Sequence, residues 1–155
     1  MIKIMFVCHG NICRSPMAEF VFKDMVQKKG LQEQFSIASS ATSTEEIGNP
    51  VHRGTRRKLA EYGISSDGKC AIQFRRADYD SYDYIIAMDS NNVRNISRII
   101  GHDSDGKISR LLDFTNRSGD IADPWYTGNF DLTYHDVMEG CKALLTQILN
   151  EKKAV

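Results

Sequence analysis

Two spacings of apolar residues alternate along this chain. Apolar runs typical of strands buried in a parallel sheet occupy residues 2–7 and 84–88, and residues 35–41 and 108–112 are also predicted as strands. Apolar residues at helical spacing occupy residues 15–29, 55–62, 90–100 and 131–150. Because strand and helix alternate, the pattern predicts one α/β domain over residues 1–155, built on a parallel sheet.

The ends of the predicted helices carry their own signals. Ser15 is expected to cap the first helix, with Pro16 at its first helical position. Asp89 is expected to cap the helix that follows residues 84–88. On the last helix, the side chains expected to face inward are Leu132, Val137, Leu144, Leu145 and Ile148. Residues 42–53 and 113–129, which contain Gly and Pro, are predicted as loops.

Composition narrows the classes of function. The chain has 20 Lys and Arg residues and 20 Asp and Glu residues, so it lacks the net positive charge that would indicate a nucleic-acid partner or an anionic membrane. The apolar runs are too short to span a bilayer, and the N-terminal residues lack the pattern of a signal peptide. The four Cys and four His lack the spacing of a metal site. We therefore expect a cytoplasmic protein with reduced thiols, no metal and no cofactor.

The strongest chemical motif follows the first predicted strand. Cys8 and Arg14 bracket five residues, and Ser15 comes next at the start of a helix. The residues in between are His9, Gly10, Asn11, Ile12 and Cys13. Ligands of parallel sheets bind at the carboxyl ends of the strands, and Cys8 lies at such an end.

Each part of this motif suits the binding of a phosphate group. Gly10 and Asn11 tolerate the left-handed backbone that turns successive N–H groups toward an anion. The start of a helix favours negative charge, and the planar fork of Arg14 can hold two phosphoryl oxygens. The same positive groups favour the thiolate of Cys8, which is the form that attacks phosphorus. Residues 8–15 are therefore predicted to bind phosphate around a cysteine nucleophile.

A second pair in the chain has the same spacing and lacks this context. Cys70 and Arg76 also bracket five residues, but no Gly lies between them and no Ser follows Arg76. We interpret this second match as coincidence, which shows that the surrounding residues carry the prediction and the spacing alone does not.

With this motif, the sequence resembles the low-molecular-weight protein tyrosine phosphatase family. The matching segments are residues 7–16, 39–43, 83–85, 88–89 and 123–126. The resemblance implies a single three-layer α/β domain, in which a four-stranded parallel sheet is flanked by helices on both faces. It also implies a cysteinyl-phosphate intermediate, without a metal.

The leaving group needs a proton donor, and a carboxyl group is the natural candidate. The residues alone leave Asp113, Asp120 and Asp123 open. The resemblance assigns the role to Asp123, with Trp125 and Tyr126 lining the pocket entrance beside it. In the family the facing wall often carries an aromatic residue, and alignment places Glu45 there. From this difference we predict weaker binding of acidic phosphopeptides.

The resemblance also implies supporting roles around the loop. Asn11, Ser15 and Ser39 match family positions whose side chains form hydrogen bonds beneath it, and Lys69 stands where the family has a histidine. Cys13 has two interpretations. It is either a redox partner that forms a disulfide with an oxidised Cys8, or a small apolar side chain packed under the loop.

The predicted substrates are phosphotyrosine proteins or small aryl phosphates, with inorganic phosphate as product and competitive ligand. Three alternatives stay open. Thiol-dependent arsenate reduction requires relay cysteines on a late loop, whereas Cys141 is placed in a helix. Phosphoarginine hydrolysis is associated with a smaller, polar residue at the position of Ile12. A non-catalytic phosphate-binding module is the third alternative, and the motif itself gives no reason for lost activity.

Overall fold

The computed structural model describes residues 1–153, with four strands and six α-helices in that part of the chain. The strands are β1 (Ile2–Cys8), β2 (Phe35–Ala41), β3 (Tyr84–Ala87) and β4 (Ile108–Arg110). The helices are α1 (Arg14–Lys28), α2 (Arg53–Ala60), α3 (Arg76–Ser81), α4 (Ser90–Ile100), α5 (Pro124–Thr127) and α6 (Phe130–Lys153). Short 3-10 helices occupy Gln32–Gln34 and Leu111–Phe114.

All four strands are parallel and lie in the order β2-β1-β3-β4. In this register Cys8 pairs with Ala41, and Val7 pairs with Ala87. The segments that leave β1, β2 and β3 therefore emerge at one edge of the sheet, where parallel sheets bind their ligands. The phosphate-binding loop is the segment that leaves β1.

Alternate side chains of β1 enter two separate cores. Ile4, Phe6 and Cys8 pack in the larger core, whose other members include buried residues of α1 and α6. Met5 and Val7 pack in the second core, with Ile96 of α4 among its members. Because a strand points successive side chains to opposite faces, a central strand covered on both sides reads as a continuous apolar run. The predicted arrangement of a four-stranded parallel sheet with helices on both faces is confirmed.

Several predicted elements are confirmed, and others differ in their bounds. Residues 35–41 form a strand as predicted, and Asp89 caps α4 by accepting a hydrogen bond from Asn92 N at 2.7 Å. The predicted strand 108–112 ends at Arg110, because the chain turns into a 3-10 helix there. Helices α3 and α5 were not predicted; they contain six and four residues, too few to show a helical repeat.

Two predictions about individual side chains are wrong. Ser15 does not cap the first helix, which begins at Arg14 without a side-chain cap; the Ser15 hydroxyl contacts Cys8 instead. Leu132 does not face inward and is 46% exposed. The inward positions at the start of α6 belong to Phe130, Tyr134 and Val137, which lie on a different face of the helix from Leu132.

Candidate active site

The Cys8 side chain lies against the start of α1 and is 3% exposed. Its Sγ is 3.0 Å from Ser15 Oγ and 3.3 Å from the Asn11 backbone nitrogen, which donates to it. Asn11 Nδ2 donates to Ser15 Oγ at 2.7 Å, so the Ser15 hydroxyl is left to donate to the sulfur. Two donors therefore stabilise a negative charge on Cys8 Sγ.

Asn11 joins the phosphate-binding loop to its surroundings. Its φ of 59° is the one positive value at a non-glycine residue among the residues described, and Asn tolerates that conformation better than most residues. The side chain is buried and also donates to Ser39 Oγ at 2.9 Å, while its Oδ1 accepts from Ile72 N at 3.1 Å. These contacts hold the loop in its curved shape and tie it to β2.

A buried charge network lies beneath this loop. Ser39 Oγ donates to Glu19 Oε1 at 2.6 Å, and Glu19 is 4% exposed. Lys69 Nζ donates to the Ser39 carbonyl oxygen at 2.7 Å and lies 3.5 Å from the Glu19 carboxylate. Burial lowers the pKa of Lys69, and the charge of Glu19 partly opposes that effect. Lys69, which stands where the family has a histidine, thus contacts both Ser39 and Glu19.

The Arg14 guanidinium is 3% exposed and contacts two carboxylates. Its Nη1 donates to Asp89 Oδ2 at 2.7 Å and to the Ile121 carbonyl oxygen at 2.8 Å. Its Nη2 lies 3.4 Å from Asp123 Oδ2. Burial opposes the charge, but the Cys8 sulfur and the two carboxylates together raise the pKa of Arg14. The Arg14 cation is therefore fixed close to the Cys8 sulfur.

Asp123 lies in the segment of residues 120–129, which we call the acid loop. Its Oδ1 accepts from Trp125 N at 3.0 Å and caps α5, in which Pro124 is the first residue. The start of the loop is fastened to the segment that leaves β3, since Ile121 N donates to the Met88 carbonyl oxygen at 2.9 Å. Asp120 is held as well, by Ser90 N at 2.9 Å and by Arg110.

A cavity of about 110 Å³ opens above Cys8. Trp125 and Tyr126 line one wall, and they are 56% and 84% exposed. Glu45 and Glu46 also line the cavity and make their part of its wall acidic. The remaining lining residues are Cys8, His9, Gly10, Ile12, Cys13, Arg14 and Asp123. The structure thus gathers around one cavity the nucleophile, cation, acid and pocket residues expected from the sequence.

Cys13 lines the same cavity but is only 5% exposed. Burial raises the pKa of the Cys13 thiol to about 12, with the charge of Cys8 acting in the same direction. Cys13 is therefore a protonated thiol near neutral pH. All four cysteines are unpaired, and the two outside the site differ, since Cys70 is exposed and Cys141 is buried.

Three contacts of the site were not predicted from the sequence. Asp89 was assigned only a helix cap, yet it also holds Arg14; its place directly after β3, at the edge where Cys8 lies, could have indicated this. His9 pairs with Glu45 across the entrance, with 2.6 Å between Nε2 and Oε2. His52 contacts Trp125, and no motif pointed to that contact.

Other features lie away from this cavity. His135, Asp136 and Glu139 on α6 could together reach a metal ion, but Arg117 pairs with both carboxylates. Among residues 1–153, no helix is long and apolar enough to cross a membrane.

Comparison with known proteins agrees with this geometry. A profile of the family described as "Low molecular weight phosphotyrosine protein phosphatase" matches residues 3–154. Over 155 residues the chain is 44% identical to a Bacillus subtilis protein, low molecular weight protein-tyrosine-phosphatase YfkJ, and the match covers 99% of each chain.

Solved structures show the same likeness. The crystal structure of YfkJ from Bacillus subtilis superposes with a TM-score of 0.95 at 45% identity, covering 98% of this chain and 97% of the other. A more distant neighbour is the Drosophila arginine phosphatase DARP, with a TM-score of 0.87 at 26% identity and coverage of 95% and 98%.

Proposed function

The chain belongs to the low molecular weight phosphotyrosine protein phosphatases, and from that premise we propose that it hydrolyses phosphotyrosine and aryl phosphates with Cys8 as nucleophile. One observation carries the assignment of roles. Cys8, with two hydrogen-bond donors on its sulfur, shares a cavity with the buried cation Arg14 and the carboxylate Asp123.

In the first step the Cys8 thiolate attacks phosphorus, and the bond from phosphorus to the aryl oxygen breaks. Arg14 and the N–H groups at the start of α1 stabilise the charge on the phosphoryl oxygens. Asp123, in its protonated form, gives its proton to the departing oxygen. The products of this step are a phenol and a cysteinyl phosphate, with Asp123 left as a carboxylate.

In the second step water replaces the cysteine. The Asp123 carboxylate takes a proton from the water as its oxygen bonds to phosphorus, and the bond from phosphorus to sulfur breaks. Inorganic phosphate leaves, the Cys8 thiolate is regenerated and Asp123 is protonated again. Because phosphate fits the same loop, it acts as a competitive ligand.

Substitution of the proposed groups tests this mechanism. Cys8→Ser is expected to abolish turnover of phenyl phosphate, and Asp123→Asn to lower kcat/KM by about 10²- to 10⁴-fold. Cys70→Ser is a matched control, because Cys70 has the same spacing to an arginine but is exposed and outside the cavity. Turnover by Cys8→Ser, or equal losses in Cys8→Ser and Cys70→Ser, would refute the assignment.

The acidic wall of the entrance suggests which phosphopeptides are favoured. Glu45 and Glu46 line the pocket, and the His9 ring forms a hydrogen bond with Glu45. A peptide with Lys or Arg beside its phosphotyrosine gains attraction from this wall, whereas an acidic peptide meets repulsion. At an exposed rim each charge contributes about 0.2–1 kcal/mol, so we expect a preference of roughly 2- to 10-fold for basic peptides.

A pair of phosphopeptides that differ only in the residues beside phosphotyrosine measures this preference. The kcat/KM ratio of basic to acidic peptide should fall toward one in Glu45→Gln and Glu46→Gln and also at high salt. Glu33→Gln, at an exposed position in the 3-10 helix before β2, is the control with the same change of charge. A ratio that all three variants leave unchanged would rule out selection by the acidic wall.

Phosphoarginine is the second candidate substrate, because one structural neighbour is named an arginine phosphatase. The bulky Ile12 lines the cavity of this chain and favours the planar ring of tyrosine over a polar guanidinium group. A higher kcat/KM for phosphoarginine than for phenyl phosphate would reverse this preference.

The four unpaired thiols are compatible with the reducing cytoplasm that we propose as the location of the protein.

A further inference from the structure

The His52 ring lies between the two ends of the turn that follows Asp123. It forms a T-shaped contact with Trp125, with ring centroids 5.7 Å apart and planes at 77°. Its face stacks on Phe130, with centroids 5.4 Å apart and planes at 18°. Trp125 belongs to α5 and Phe130 is the first residue of α6, so one side chain contacts the chain on both sides of the intervening turn.

The same residue is anchored to the phosphate-binding loop. His52 N donates to the Ile12 carbonyl oxygen at 2.8 Å. Its ring Nδ1 accepts from Gly54 N at 3.0 Å and caps α2, which sets the ring orientation and leaves the proton on Nε2. His52 therefore connects the loop that carries the nucleophile to the loop that carries the acid.

Gly54 is required for this arrangement. A Cβ atom added there would lie 2.3 Å from the Phe130 ring, closer than two carbon atoms approach. Any larger residue would therefore displace Phe130 from its stack with His52. Phe130 also packs against the cluster of Ile12 and Cys13, so the stack continues under the phosphate-binding loop.

We propose that His52 is a positioning residue that aligns Asp123 for proton transfer by holding Trp125. Trp125 N donates to Asp123 Oδ1 at 3.0 Å, so a contact that fixes the position of Trp125 also fixes the hydrogen bond that orients the carboxyl group. Trp125 is 56% exposed, and its ring therefore depends on a few contacts of this kind. The proposal rests on the proposed role of Asp123 as general acid.

A misplaced acid has a kinetic signature that a damaged fold lacks. The kcat/KM value reports the steps up to release of the phenol. Phenyl phosphate needs a proton on its leaving oxygen, whereas dinitrophenyl phosphate releases a stable anion without one. Loss of acid alignment therefore lowers kcat/KM for phenyl phosphate and spares dinitrophenyl phosphate.

Two substitutions of His52 separate its ring from its helix cap. His52→Asn keeps a good capping group and removes the ring, whereas His52→Phe keeps a ring and removes the cap. An aromatic pair contributes enough to expect a loss of about 2- to 10-fold in kcat/KM for phenyl phosphate in His52→Asn. His52→Phe should restore most of that loss. Arg56→Ala, at an exposed position of α2, is the surface control.

Fluorescence gives a second, independent measurement, because Trp125 is the only tryptophan in the chain. Its emission should change in His52→Asn and not in Arg56→Ala. Equal losses on both substrates in His52→Asn, or no loss on either, would overturn the proposal. If Asp123→Asn also fails to discriminate the two substrates, the proposed acid itself is wrong; if only His52→Asn fails, the error is confined to His52.

Discussion

Asp89 is the residue whose removal tests the electrostatics of the site most directly. Its carboxylate contacts Arg14 at 2.7 Å, and the two side chains are 18% and 3% exposed. It also caps α4 through a hydrogen bond from Asn92 N. Asp89→Asn keeps a capping oxygen and removes the charge, whereas Asp89→Ala removes both functions.

The expected magnitudes follow from these contacts. Two unit charges 2.7 Å apart attract by about 6 kcal/mol at an effective dielectric constant of about 20, and desolvation offsets much of this. Removing one partner of a buried pair typically costs about 3–5 kcal/mol. Asp123, 3.4 Å from Arg14, compensates part of the freed charge, which places the loss in Asp89→Asn at about 2–3 kcal/mol. Loss of the cap adds about 1 kcal/mol in Asp89→Ala.

Urea unfolding measures both variants, with the free energy of unfolding taken by linear extrapolation. Asp67→Asn is the control, since Asp67 is exposed and a change there should stay within about 0.5 kcal/mol. We expect the order wild type, Asp89→Asn, Asp89→Ala in decreasing stability, with the same dependence on urea. If both Asp89 variants fall within about 0.5 kcal/mol of wild type, the buried pair does not stabilise the fold as argued.

Two further predictions concern the phosphate-binding loop. Asn11→Ala should be less stable than Asn11→Gly by about 1 kcal/mol, because both lose the amide contacts but only Ala resists a φ of 59°; equal unfolding midpoints would refute this. After peroxide converts Cys8 to a sulfenic acid, the Cys13 thiolate should attack the Cys8 sulfur, form a disulfide and release hydroxide. Because the pKa of Cys13 is raised to about 12, the thiolate fraction and hence the rate should rise about tenfold per pH unit below that value. Mass spectrometry of quenched samples follows the linkage, and a rate that does not change with pH would contradict the prediction.

The sequence was most informative where one physical requirement governs a whole segment. The apolar run of β1 must fill two cores, so it is recognisable as a buried strand, and the glycine and arginine after it are recognisable as an anion loop. Parallel pairing then determines which strand ends share an edge. These features are local or follow from general rules of α/β sheets, which is why they could be predicted.

Contacts between distant segments could not be predicted in this way. Asp89 and Arg14 are 75 residues apart, and the Asp89 sequence signal is fully explained by its capping role. Ser15 resembles a helix cap in the sequence, but its hydroxyl forms a hydrogen bond with the sulfur of Cys8. The ring of His52 meets Trp125 only because α2 and the acid loop converge in the folded chain.

The way the acid loop is held bears on which nucleophiles can react with the proposed cysteinyl phosphate in the second step. Ile121 holds one end of the loop to Met88, and Phe130, the residue after its other end, stacks on His52, while Trp125 and Tyr126 remain largely exposed. The loop thus lies beside Arg14 with its two aromatic side chains open to solvent at the entrance. We therefore expect a small alcohol added to the assay to compete with water for the phosphoryl group of the proposed cysteinyl phosphate, with the phosphorylated alcohol as the measured product.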